Sequence, residues 1–232
     1  MKIIIFSILL LLLSSVLVVA ENYGEPPWVY KGRGDRYYKN GEIGKAIVEY
    51  KKALSNSRDV QETSKKNIYP EVNIKLAEIY IDEELYDLAL FEIGIAENQK
   101  KDLQIPDLIY NILYIKAEIL FNQKKYNKSI EVYEEIIKKD ENWKLYSRQS
   151  PSEISEKFIE APELKKKFGK AYLETGKIKY LQNHFDYAIR FFKMALMYKY
   201  EKEVSLKYLI NCYNNIDSKI LAEKAKTIYG NI

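Results

Sequence analysis

One order of side chains returns along the chain: a small residue, an aromatic or large apolar one, then an alanine. It is clearest in Gly34-x-x-Tyr37-x-x-x-Gly41-x-x-x-x-Ala46-x-x-x-Tyr50-x-x-Ala53. From Trp28 to Tyr38 and again from Glu42 to Leu54, apolar side chains recur at three- and four-residue spacing, with Asn40-Gly41 as punctuation between them. That periodicity reads as a helix, a tight turn and a second helix. Gly34 falls where two antiparallel helices cross closely. Ala46 and Ala53 keep the second helix narrow, so that Tyr37 and Tyr50 fill the space between the two.

The same order comes back with Ala77, Tyr80, Tyr86, Ala89, Ile93 and Ala96, and again with Ala117, Leu120, Tyr126, Ser129, Tyr133 and Ile136. A fourth unit carries Gly176, Phe185, Ala188, Phe192 and Ala195, with Lys179 where an aromatic is expected and Tyr180 beside it. The fifth is degraded: Tyr213 and Ala222 fit, but Lys226 replaces the aromatic and Tyr229 the last alanine. Ala188 and Ala222 stand 34 residues apart, and the other intervals, 43 from Ala46 to Ala89, 40 from there to Ser129 and 59 from there to Ala188, are longer. The excess falls between units and never inside one, as insertions in a stacked array do. An ordinary helical bundle shares the apolar period but has no reason to repeat glycine and alanine at matching places.

On these residues the units resemble tetratricopeptide repeats, from about Trp28 to Tyr229. The resemblance implies an all-α fold, a right-handed superhelical solenoid of about five helix-turn-helix repeats, with the first helix of each hairpin lining a concave side and the second lying outside. The proline that often closes the family's unit is absent at Arg58, Lys101, Glu141 and Tyr200. The division that follows is a leader at 1–20, repeats one to three at 21–140, an insertion at 141–162, and repeats four and five with a C-terminal capping helix at 163–232. Carried onto the first helices, the family's groove implies partner contacts at Trp28, Lys31 and Tyr38, then Ile74, Glu78 and Ile81. It continues through Tyr114, Glu118 and Phe121 to Leu173, Lys177 and Tyr180. Asp35, Lys39, Glu71, Asp82, Asn111, Asn122, Lys170 and Leu181 belong to the same expected lining, as do Val204, Lys207, Asn211, Asn214 and Asn215 in the last unit. The expected partner is a protein or peptide segment, which meets acids in the middle units and lysines in the fourth.

The rest of the chain narrows the function. Ile3 to Ala20 is almost wholly apolar, follows Lys2 and ends Val18-Val19-Ala20 before Glu21. It reads as a signal peptide cut after Ala20, or else as an uncleaved membrane anchor, and so predicts an exported protein, periplasmic or held at the inner membrane. Membrane contact is expected only if the leader stays. Net charge is +4 and lysines alternate with glutamates along helical faces, so no nucleic-acid partner is expected. Cys212 is the sole cysteine, which excludes an internal disulfide. His184 is the sole histidine and falls in a turn without a nucleophile beside it; no cofactor, metal or catalytic activity is expected. The reading is an interaction scaffold of the cell envelope, with envelope assembly or cell-wall binding as alternatives. Two local expectations complete it: Tyr69-Pro70 marks the start of the second unit, and the last helix packs through Ile220, Leu221, Ala225 and Ile228.

Overall fold

The computed structural model describes residues 25–55, 62–99, 108–146 and 165–230. The leader at 1–20 and the segment Ser152 to Ile159, read from its capping serines as a short helix, lie outside the described residues. Every described element is helical: α1 (Pro27–Lys39), α2 (Ile43–Ser55), α3 (Glu62–Asp82), α4 (Tyr86–Asn98), α5 (Leu108–Asn122), α6 (Tyr126–Ile137) and α7 (Glu141–Tyr146). A π-turn at Lys165–Gly169 then leads into α8 (Lys170–Leu181), followed by α9 (Phe185–Met197), α10 (Lys202–Asn215) and α11 (Lys219–Gly230). Consecutive helices pair as five hairpins, α1/α2, α3/α4, α5/α6, α8/α9 and α10/α11, and each hairpin packs on the next.

The small and large positions interlock where the repeat places them. A Cβ added to Gly34 would stand 2.6 Å from the Tyr50 ring, and one added to Gly176 would stand 2.7 Å from the Phe192 ring. In the third hairpin Ser129 takes the alanine's place and donates its buried hydroxyl to the Ala117 carbonyl at 2.8 Å. A polar atom is tolerated there because it is paired.

The strongest regularity lies in the backbone. Gly41, Glu84, Lys124, Asn183 and Asp217 all have φ between 54° and 76°, one in each intra-hairpin turn. The next residue's N–H reaches back to the carbonyl five positions earlier, Glu42 to Tyr37, Leu85 to Tyr80, Lys125 to Leu120, His184 to Lys179 and Ser218 to Tyr213, at 2.7–2.9 Å. This is the Schellman closure of a helix end, which satisfies carbonyls that the helix leaves unbonded. The second helix starts at once, its alanine-type residue donating to the residue just after the turn, as Ala46 does to Glu42 and Ala222 to Ser218. Only one of the five left-handed positions is glycine. The others hold a side chain where it costs about 1 kcal/mol or more. Lys124→Gly is therefore expected to stabilise the protein by about 1 kcal/mol, read as a higher urea midpoint at unchanged helical circular dichroism.

Two buried clusters, not one, run through the stack. The first joins α2, α3 and α4 to Leu108, Ile112, Ile115 and Ile119 of α5. The second takes Leu113, Tyr114, Ala117 and Leu120 of the same helix and runs on through α11. An apolar helix sandwiched between neighbours is what an array requires and a single-core bundle does not.

Two expectations need correction. The second unit does not begin at Tyr69-Pro70: α3 starts at Glu62 and carries Pro70 inside it. Pro70 itself is buried, so packing outweighs the backbone bond that proline removes. The last helix does not pack through Ile220, which is 85% exposed; Ala222, Ala225 and Tyr229 are its buried side chains. Tyr229 fills the space that the repeat's alanine leaves in other units. The insertion begins as structure, since α7 occupies 141–146 and is fastened by Asp140. That buried carboxylate accepts the hydroxyls of Tyr172 and Tyr198 at 2.6 Å each and the Asn142 N–H at 3.0 Å.

Candidate partner-binding groove

The first helices of four hairpins and the residue after α9 enclose a cavity of about 580 Å³. Tyr38 comes from α1, Glu78, Ile81 and Asp82 from α3, Asn111, Tyr114, Ile115 and Glu118 from α5, and Lys170 from α8. On α5 these residues recur at three to four positions, the spacing of one helical stripe. Tyr200 reaches the cavity from beyond α9 because Gly169 lets it pass: a Cβ on Gly169 would stand 2.5 Å from the Tyr200 Cβ.

The walls are positioned by polar contacts. The Tyr38 hydroxyl donates to Asp82 Oδ2 at 3.3 Å. Burial and the nearby Asp82 and Glu78 carboxylates push the Tyr38 phenol above its ordinary pKa. Tyr114, only 8% exposed, donates its hydroxyl to the Lys167 carbonyl at 2.7 Å and so ties α5 to the π-turn; burial drives its phenol well up, and it stays protonated. The Lys170 ammonium lies 5.0 Å from the Tyr114 ring centroid, a distance at which cation and ring attract. Glu78 is held by Lys75 at 2.7 Å.

Of the expected lining, Tyr38, Glu78, Ile81, Asp82, Asn111, Tyr114, Glu118 and Lys170 meet around this cavity. The others are placed elsewhere. Ile74 and Leu173 are core side chains, 5% and 1% exposed. Phe121 packs on Tyr126, with ring centroids 5.5 Å apart, and Tyr180 sits between Phe185 and Tyr208 at 5.4 and 5.3 Å. Lys31 bridges Asp35 at 3.0 Å and Glu71 at 3.3 Å; burial works against its charge, but the two carboxylates more than offset this and raise its pKa. Lys177 pairs with Glu174 at 2.8 Å. Trp28 stands on the first turn of α1, 61% exposed. Ile115 and Tyr200 were absent from the expected set.

No acid–base or nucleophilic constellation accompanies these groups. Cys212 is fully buried, and burial pushes its thiol up to about 12, so at neutral pH almost none is the reactive thiolate. His184 is exposed in the α8–α9 turn. Among the described residues, no three histidine, cysteine or carboxylate side chains gather as a metal site, and no helix is long and apolar enough to cross a membrane.

The stacked hairpins form a helical-repeat array. Residues 110–142 match the family described as Tetratricopeptide repeat. The chain is similar in fold to the apo form of RapI, with a TM-score of 0.64 at 14% identity over 88% of this chain and 70% of that one. It is also similar to BtubC from P. vanneervenii, with a TM-score of 0.60 at 18% identity over 85% and 77%. A mutant of MamA gives 0.53 at 11% identity over 88% and 96%. No curated protein matches the chain in sequence.

Proposed function

We propose that this protein is an exported, non-catalytic scaffold that holds a segment of a partner protein in the groove between α1, α3, α5 and α8. The observation that carries the reading is the cavity of about 580 Å³, where Ile81, Ile115 and the Tyr114 ring make an apolar floor between charged walls. A few side chains of an extended or helical segment fill a space of that size, and apolar anchors with a polar rim are how such segments are held. Export rests on the apolar run ahead of Glu21, and the mass of the protein recovered from cells tests it by showing whether the chain begins there.

Ile81 and Tyr38 are the residues to change, because both are only partly buried and neither change removes a fully buried side chain. Ile81→Asp with Tyr38→Ala is expected to lower partner affinity at least about tenfold, the scale of one lost anchor, while helical circular dichroism stays as in the parent. Co-purification of crosslinked partners before and after the change is the measurement. An unchanged set of partners on a folded variant overturns the groove as the binding site.

A further inference from the structure

The groove is charged in two places, acidic where Glu78, Asp82 and Glu118 line it and basic at Lys170. α3 ends in Asp82 and runs on into Glu83 and Glu84, with no basic residue in its last turn. Glu118 stands near the end of α5, whose last turn also lacks a basic residue. At the opposite wall stands Lys170, the first residue of α8 after the π-turn. A helix C-terminus is partly negative, so Asp82 at the end of α3 works against its own helix, whereas the π-turn runs straight into α8 and Lys170 meets no free helix N-terminus.

The two charges are not spent on each other. Among the described residues Glu118 makes no ion pair, and Asp82 accepts only the Tyr38 hydroxyl. Lys170 lies over the Tyr114 ring, and the ammoniums of Lys167 and Lys139 lie 4.5 and 5.3 Å from the Tyr110 centroid. Between the acid wall and the lysine wall is the apolar floor of Ile81, Ile115 and Tyr114.

Resting on the groove reading above, we propose that the partner segment carries split charge: a lysine or arginine against Asp82 and Glu118, an aliphatic or aromatic side chain on the floor, and an aspartate or glutamate against Lys170. A uniformly basic segment meets the lysine wall, and a uniformly acidic segment, or a nucleic-acid backbone, meets the acid wall. Like charges brought together across an interface are penalised, and such pairs fix register and direction more than raw affinity. The split therefore also sets which way the segment's backbone runs through the groove.

The test is a random peptide library displayed on phage and selected on the full chain, on the double variant Asp82→Lys with Glu118→Lys, and on Lys170→Glu. Asp82→Lys removes the Tyr38 hydrogen bond and Lys170→Glu the cation over the Tyr114 ring, so helical circular dichroism of each variant, expected as in the parent, separates loss of binding from loss of fold. Peptides selected on the parent are expected to carry basic and acidic residues on opposite sides of an apolar one. They should bind each variant about tenfold more weakly or worse. Selection on the double variant should lose lysine and arginine, and selection on Lys170→Glu should lose aspartate and glutamate. Selected peptides of one charge sign, or equal binding to the variants, overturn the split-charge partner; the groove reading then stands if Ile81→Asp abolishes their binding. Failure to enrich any peptide on the parent overturns both.

Discussion

Phe192→Ala is expected to cost about 3–5 kcal/mol of stability, and Gly176→Ala, harmful alone, is expected to become stabilising in that background. Phe192 is fully buried, and removing a buried ring loses its transfer free energy and leaves a cavity that the surroundings fill only in part. With the ring present, a methyl at Gly176 would lie 2.7–3.1 Å from three of its atoms, closer than van der Waals contact allows, so Gly176→Ala overpacks the crossing by about 1–3 kcal/mol. With the ring gone the methyl enters vacant space, and alanine's better helix propensity, about 1 kcal/mol over glycine, acts unopposed. A double-mutant cycle by urea unfolding, with hydrogen exchange on α8 and α9 to localise the effect, measures the sign change. Additive effects would show that glycine and phenylalanine do not define the spacing of this hairpin.

That pair was legible in the sequence because each half of it is a side-chain choice. Gly34 with Tyr50 and Gly176 with Phe192 are written as a small and a large residue at fixed separation, and the structure brings each pair together. The left-handed conformation in the turns after Asn40-Gly41 was not legible. Glu84, Lys124, Asn183 and Asp217 share a backbone conformation and no side-chain chemistry, so a reading built on residue types passes over them. The groove lies between these extremes. Helical period places Glu78, Ile81, Tyr114 and Glu118 on the inner stripes, and it places Ile74 and Leu173 there as well. It says nothing of how far neighbouring helices overlap a stripe, and those two are covered. Tyr200 follows a helix end and reaches the cavity only through the gap at Gly169, a contact between the residues just before and just after the fourth hairpin that no local pattern records.

The Asp140 knot carries the second large expectation: Asp140→Ala should cost about 3 kcal/mol and free α7 from the fourth hairpin. The carboxylate is 1% exposed. It ties a residue following α6 to Tyr172 of α8 and Tyr198 after α9, and it caps α7 through the Asn142 N–H. The rings it holds are stacked, Tyr172 on Tyr198 with centroids 5.8 Å apart, while Trp143 of α7 stacks on Phe191 at 5.3 Å. Alanine leaves the Tyr172 hydroxyl without its acceptor inside the core, at about 1–3 kcal/mol for an orphaned buried group, and removes a helix cap worth about 1 kcal/mol. Asp140→Asn keeps one acceptor oxygen and should cost less than half as much. Loss of Trp143 fluorescence shift together with faster hydrogen exchange in α7 would report the release, and a variant as stable as the parent would show that the carboxylate is not what fastens the insertion. The knot also gives stability an alkaline limit. Burial and the Asp140 charge hold the Tyr172 phenol far above its ordinary value of 10.0, so the folded chain keeps a proton that the unfolded chain releases above about pH 10. Stability is thus untouched below that pH and falls by about 1.4 kcal/mol per further pH unit for this tyrosine, a slope that Tyr172→Phe should remove.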